Sequence, residues 1–70
     1  MQLVIVKWVD IETHVGWCED LADVEPPVFE TVGYLVKKTN KKLIITDTQP
    51  QIGNVTVFPM GCVMDIKGVV

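Results

Sequence analysis

Four of the six basic residues in this sequence fall within one short stretch: Lys37, Lys38, Lys41 and Lys42. A lysine ammonium is a compact point charge with three donors and no acceptor, so four of them around one turn have the chemistry to hold phosphate. The same grouping also suits a soluble hairpin tip, where lysines discourage pairing between sheet edges. Both readings stand. No arginine occurs anywhere, which removes the side chain best suited to bidentate contacts with phosphate or base edges. One aromatic residue joins the lysines as a candidate. Trp17, in the segment HVGW, is either a lid over one end of the core or an exposed platform on which an unpaired base stacks. These five residues are the candidate nucleic-acid contacts.

Other reactive side chains give weaker patterns. Asp10, Glu12 and His14 alternate, and carboxylate and imidazole are metal ligands. Three such residues in a polar loop read as solvated, so no metal is assigned. His14 with Cys18 or Cys62 has the composition of a Cys-His nucleophile pair, but no motif supplies an orienting group or an oxyanion hole. The glycines stand singly, so no phosphate-cradling loop is present. No catalytic residue and no cofactor is expected. Cys18 and Cys62 lack CxxC spacing and are too few for a disulfide framework; they read as two buried or half-buried thiols.

Charge is unevenly spread. The net charge is −3, yet between Lys7 and Lys37 there is no base, while Asp10, Glu12, Glu19, Asp20, Asp23, Glu25 and Glu30 are all acidic. An acidic region and a basic turn on one chain either form two solvated faces or pair head to tail between copies. Hydrophobic residues make up 49% of the chain. A chain this short buries only about 60% of its unfolded surface, so part of that apolar surface is expected to face a partner, most simply another copy. No apolar run reaches the roughly 18 residues of a spanning helix. MQLVIVKWVD has too short an apolar stretch for a signal peptide, so a cytoplasmic setting is expected, with no membrane contact.

The elements that position these residues are strands. One domain over residues 1–70 is expected, built around Val28–Thr48, VFETVGYLVKKTNKKLIITDT. Val28–Lys38 reads as a strand with Phe29, Gly33 and Leu35 on one side and Val28, Val32, Tyr34 and Val36 on the other. A mid-strand glycine predicts a sharp bend or close backbone approach at Gly33. Thr39-Asn40 is the expected turn centre, asparagine tolerating left-handed geometry. Leu43–Asp47 follows as a strand, with Leu43 and Ile45 opposite Ile44 and Thr46. Gln2–Val9 precedes the hairpin as a first strand, Trp8 being core or interface. Asp10–Pro27 is a long loop between strands one and two, with a helical turn allowed over Cys18–Asp23. Asn54–Phe58 and Cys62–Lys67 complete the chain, separated by Pro59-Met60-Gly61. Met60 and Met64 suit packing between subunits. The expected fold is all-β: a five-stranded small barrel whose closure removes the sheet edges.

The order of strand, long loop, meander and then VFPMGCVMDI resembles the SH3-like and Sm-like small barrels, in which strand four ends in a tight helical turn leading into strand five. Phe58, Val63 and Ile66 resemble the second Sm motif, although Pro59 and Met60 stand where that motif has a basic residue and glycine. From KWVD through HVGW and VGYLV to PMGCVMDI, the chain is also similar to short proteins of tailed phages, including cyanophages. The resemblance implies a homo-oligomeric ring of about five to seven subunits in the infected host cell. Such a ring repeats the lysine turn into a basic surface on an acidic protein. A non-enzymatic module contacting RNA or single-stranded DNA is the leading expectation. A phage sponge that sequesters host immune-signalling nucleotides and a protein-interaction adaptor are the alternatives.

Overall fold

The computed structural model describes residues 1–13, 16–17 and 24–69. Five strands form in chain order: β1 (Leu3–Val9), β2 (Val28–Lys38), β3 (Lys42–Thr46), β4 (Val55–Pro59) and β5 (Val63–Gly68). Residues Met60–Cys62 make a single 3-10 turn between β4 and β5. β2 has the expected bounds, and each of the other strands is shifted by one residue from its expected start. The helical turn considered for Cys18–Asp23 lies outside the described residues. Among the described residues no α-helix occurs, and no helix is long and apolar enough to cross a membrane.

All pairing is antiparallel, in the order β4-β3-β2-β1-β5. The longest strand is shared between two neighbours. β2 pairs with β1 from Val28 to Tyr34 and with β3 from Tyr34 to Lys38, so only Tyr34 faces both. β1 and β3 therefore run along different halves of β2. In a flat sheet they would also stand about 9.5 Å apart across it. Even so, Val4 and Val6 of β1 pack in one buried cluster with Leu43 and Ile45 of β3 and Phe58 of β4. The sheet must bend sharply to bring them together, and the bend is at Gly33. A β-carbon there would stand 2.9 Å from Ile45 Cδ1 and 3.0 Å from the Thr46 carbonyl oxygen, so only glycine lets the two halves close.

Side-chain period decides what goes inside. Val4 and Val6 are buried and Trp8 half-buried on one face of β1, and Leu43 and Ile45 do the same on β3, as alternation predicts. Trp8 spans the two halves. Its ring centroid lies 5.1 Å from that of Phe29 and 5.4 Å from that of Phe58, and its Nε1–H donates to Thr31 Oγ1 at 2.8 Å. The indole thus has both the apolar contacts and the polar partner that a largely buried tryptophan needs.

The expected closed barrel is not what forms. The sheet is open, with β4 and β5 as its edges. After the three-residue turn β5 pairs with β1, and among the described residues no ladder joins β5 to β4, so the strand order begins and ends on free edges.

Candidate nucleic-acid interface

The lysine hairpin tip is held by Thr39. Its backbone N–H donates to the Lys42 carbonyl at 2.9 Å, and its Oγ1 accepts the amides of Lys41 at 3.2 Å and Lys42 at 3.1 Å. A threonine hydroxyl is short enough to reach backbone donors two and three residues on, which makes it a turn former. Asn40 does not use left-handed geometry; no described non-glycine residue has a positive φ. The turn centre is Asn40-Lys41 rather than Thr39-Asn40.

All four lysines are exposed, and no described carboxylate lies within ion-pair distance of any of them. They do not share a face. Leu35 faces Ile45 and Lys37 faces Ile44, which leaves Val36 as the extra residue of a β-bulge. One inserted residue reverses the alternation beyond it. Lys37 therefore lies on the outer face with Ile44, and Lys42 lies on that same face, paired with Pro59. Lys38 faces Leu43 on the inner side, and Lys41 occupies the tip.

A backbone bond outside the strand ladders ties the hairpin tip to the 3-10 turn. The Met60 N–H donates to the Lys41 carbonyl at 2.9 Å. Three residues further on, Val63 pairs with Trp8. The tip, the 3-10 turn and the end of β1 thus share one end of the molecule. The long loop starts from that end, its base closed by the Asp10 N–H donating to the Pro27 carbonyl at 3.0 Å. Trp17 belongs to this loop. It follows Gly16, whose φ of 95° is a conformation L-residues rarely adopt, and it is fully exposed, at 100%. The reading of Trp17 as a lid on the core fails, because Trp8 and Phe58 already cover that end.

Two features at this end carry no motif. Adjoining clefts of about 450 and 400 Å³ share Val9, Asp10, Ile11 and Cys62. The first is flanked by Val24, Glu25 and Pro26; the second by Trp8, Phe58 and the edge residues Val57 and Pro59. Both are mainly apolar. Cys62 is a free, half-buried thiol, while Cys18 and His14 lie outside the described residues. Sequence pattern alone misses these clefts because they arise where distant strands meet; Pro59, which ends the edge strand, is the only local mark of them.

The sharpest polar cluster lies away from the lysines, in the loop after β3. Asp47 Oδ1 accepts from Thr48 Oγ1 at 2.7 Å and from the Asn54 amide at 3.1 Å, and Oδ2 accepts from Asn54 Nδ2 at 2.9 Å. These donors, the Thr48 hydroxyl first, hold the Asp47 carboxyl below its usual range. Buried Thr46 closes the same loop, its Oγ1 accepting the Gly53 amide at 3.0 Å. The Gln49–Pro50 peptide within it is cis. Among the described residues no group of three or more His, Cys, Asp or Glu side chains is placed to hold a metal ion. No family model matches this chain, and neither the curated proteins nor the solved structures yield a match.

Proposed function

We propose that this chain is a non-enzymatic, self-assembling binding module of the Sm-like type, a phage protein whose repeated lysine tips contact the phosphates of RNA or single-stranded DNA. The observation that carries the reading is the set of four exposed lysines at one end of a chain of net charge −3, with no described carboxylate in ion-pair range. Ammonium groups left unneutralised at one tip are available to displace counterions from a nucleic acid. The bent five-stranded sheet, with its single turn between β4 and β5, supports the Sm-like part of the reading. Two unpaired edge strands support self-assembly, since an exposed edge is a template for pairing with another chain.

The test is fluorescence anisotropy with labelled oligo-uridine and oligo-thymidine over a salt series. Replacing Lys37, Lys38, Lys41 and Lys42 by Gln is expected to flatten the log K against log salt slope by about 0.7 per lost contact. Wild-type protein that ignores both oligonucleotides at low salt, or a quadruple variant that binds them equally well, ends the nucleic-acid reading. Exposed apolar side chains, including Ile11, Val32, Val57 and Met64, favour a second reading as a protein-binding adaptor. That module self-assembles without oligonucleotide binding.

A further inference from the structure

We propose that the free edge of β4 pairs with the same edge of a second copy, antiparallel and about a two-fold axis at Thr56. The proposal rests on the self-assembly in the reading above and names the surface that carries it. Two hydrogen bonds beyond the ends of the β3–β4 ladder fix which way the β4 backbone points. The Asp47 N–H donates to the Asn54 carbonyl at 3.2 Å, and the Met60 N–H donates to the Lys41 carbonyl at 2.9 Å. Both continue the register in which Leu43 faces Phe58 and Ile45 faces Thr56. Bonded and non-bonded pairs alternate along an antiparallel ladder, so Thr56 and Phe58 also turn their amides and carbonyls to β3. Val55 and Val57 turn theirs outward, where no described strand lies. Val55, Thr56 and Val57 are all exposed. No charge occurs from Val55 to Pro59 and no bulge interrupts their pairing with β3, so Pro59 alone guards this edge, at its last position. The other free edge is better protected: β5 carries Asp65 and Lys67, and its pairing with β1 is broken by a register shift.

The occupant is a second copy because the edge is complementary to itself. Val55-Thr56-Val57 reads alike in both directions. An antiparallel partner therefore sets Val55 opposite Val57 on each side of the axis, and Thr56 opposite Thr56. Each open valine then donates to and accepts from the one it faces. On the outer face the seam brings together Val55 and Val57 of both copies, 49% and 55% exposed in the single chain, and continues the row from Ile44. Neighbouring registers fail for want of donors. Setting Val57 opposite Val57 puts Pro59, which has no amide, opposite Val55. Setting Val55 opposite Val55 calls on the Gly53 amide, which already donates to Thr46 Oγ1 at 3.0 Å. The contact is isologous, so it closes at two copies and runs one sheet through both. The four lysines of the hairpin tip lie outside the paired triplet and stay available to phosphate.

The experiment measures self-association of the full chain by analytical ultracentrifugation, each variant first checked for native far-ultraviolet circular dichroism. Val57→Pro removes an outward amide and leaves the β3 bonds of Thr56 and Phe58 in place. Thr56→Lys and Thr56→Glu each set like charges directly opposite one another across the axis. Wild type is expected to sediment as a dimer, and each variant to associate at least about 10-fold more weakly. Thr56→Lys mixed with Thr56→Glu is expected to pair again, a recovery that requires residue 56 to face its own counterpart. Should Val57→Pro fail to fold, the two Thr56 variants decide. Thr56→Lys that assembles like wild type overturns the contact and leaves self-assembly to another surface. A mixture that stays apart overturns it too, as does a wild-type assembly with an odd number of chains. A monomeric wild type removes self-assembly and this contact together. A wild-type dimer that ignores oligonucleotides but still shows the recovery removes only the phosphate reading.

Discussion

Gly33 is where a single missing methyl group decides the shape of the chain. Its virtual β-carbon meets two kinds of neighbour: the mobile Cδ1 of Ile45 at 2.9 Å and the fixed carbonyl oxygen of Thr46 at 3.0 Å. The first can rotate away and the second cannot, so the strand itself must shift. Gly33→Ala is expected to destabilise the fold by about 1–3 kcal/mol in urea denaturation, the range for overpacked cores. Adding Ile45→Val restores part of that loss, and a pair of variants that simply adds would mean the clash lies elsewhere. The need for glycine at this position could be read from the sequence, because a glycine inside an otherwise β-branched run has few other uses. The exposure of Trp17 could not. No period runs through its loop, and the area argument that places tryptophans inside was already satisfied by Trp8.

At the level of elements, the strands announce themselves by alternation. Val28–Lys38 could be bounded from sequence to the residue. The faces of the lysines could not be read, because the bulge at Val36 reverses the alternation just before them and leaves no compositional trace. Closure was equally hidden. Whether five strands seal depends on where the turn after β4 aims β5, which is a matter of backbone direction rather than residue type. The loop between β3 and β4 shows how a polar element holds its form without a core. Asp47 has a folded-state pKa below the ordinary aspartate value of about 3.9. Its contribution to stability is therefore present above that value and lost as pH falls through the lowered one. Asp47→Asn is expected to melt at lower temperature than wild type near neutral pH, since an amide donor then faces Asn54 Nδ2, with the gap closing in acid. A gap that persists unchanged at about pH 2 would show that the carboxylate charge is not the cause.

For the whole molecule, the balance of apolar surface is what matters. Nearly half the residues are hydrophobic, yet among the described residues only Val4, Val6, Leu43, Ile45 and Phe58 form the fully buried apolar core. A core this small stabilises a lone chain weakly. If assembly covers the remainder, folding and association are linked and the melting temperature rises with protein concentration. Scanning calorimetry over a hundredfold dilution checks this, and a concentration-independent midpoint counts against assembly. The division of β2 between two partners has a further consequence for what each strand depends on. β3 holds to β2 and β4 to β3, whereas β5 is bonded to β1 alone among the described strands. β1 is thus a keystone: peel it away and the last strand of the chain loses its only seam, while the central meander keeps all of its own.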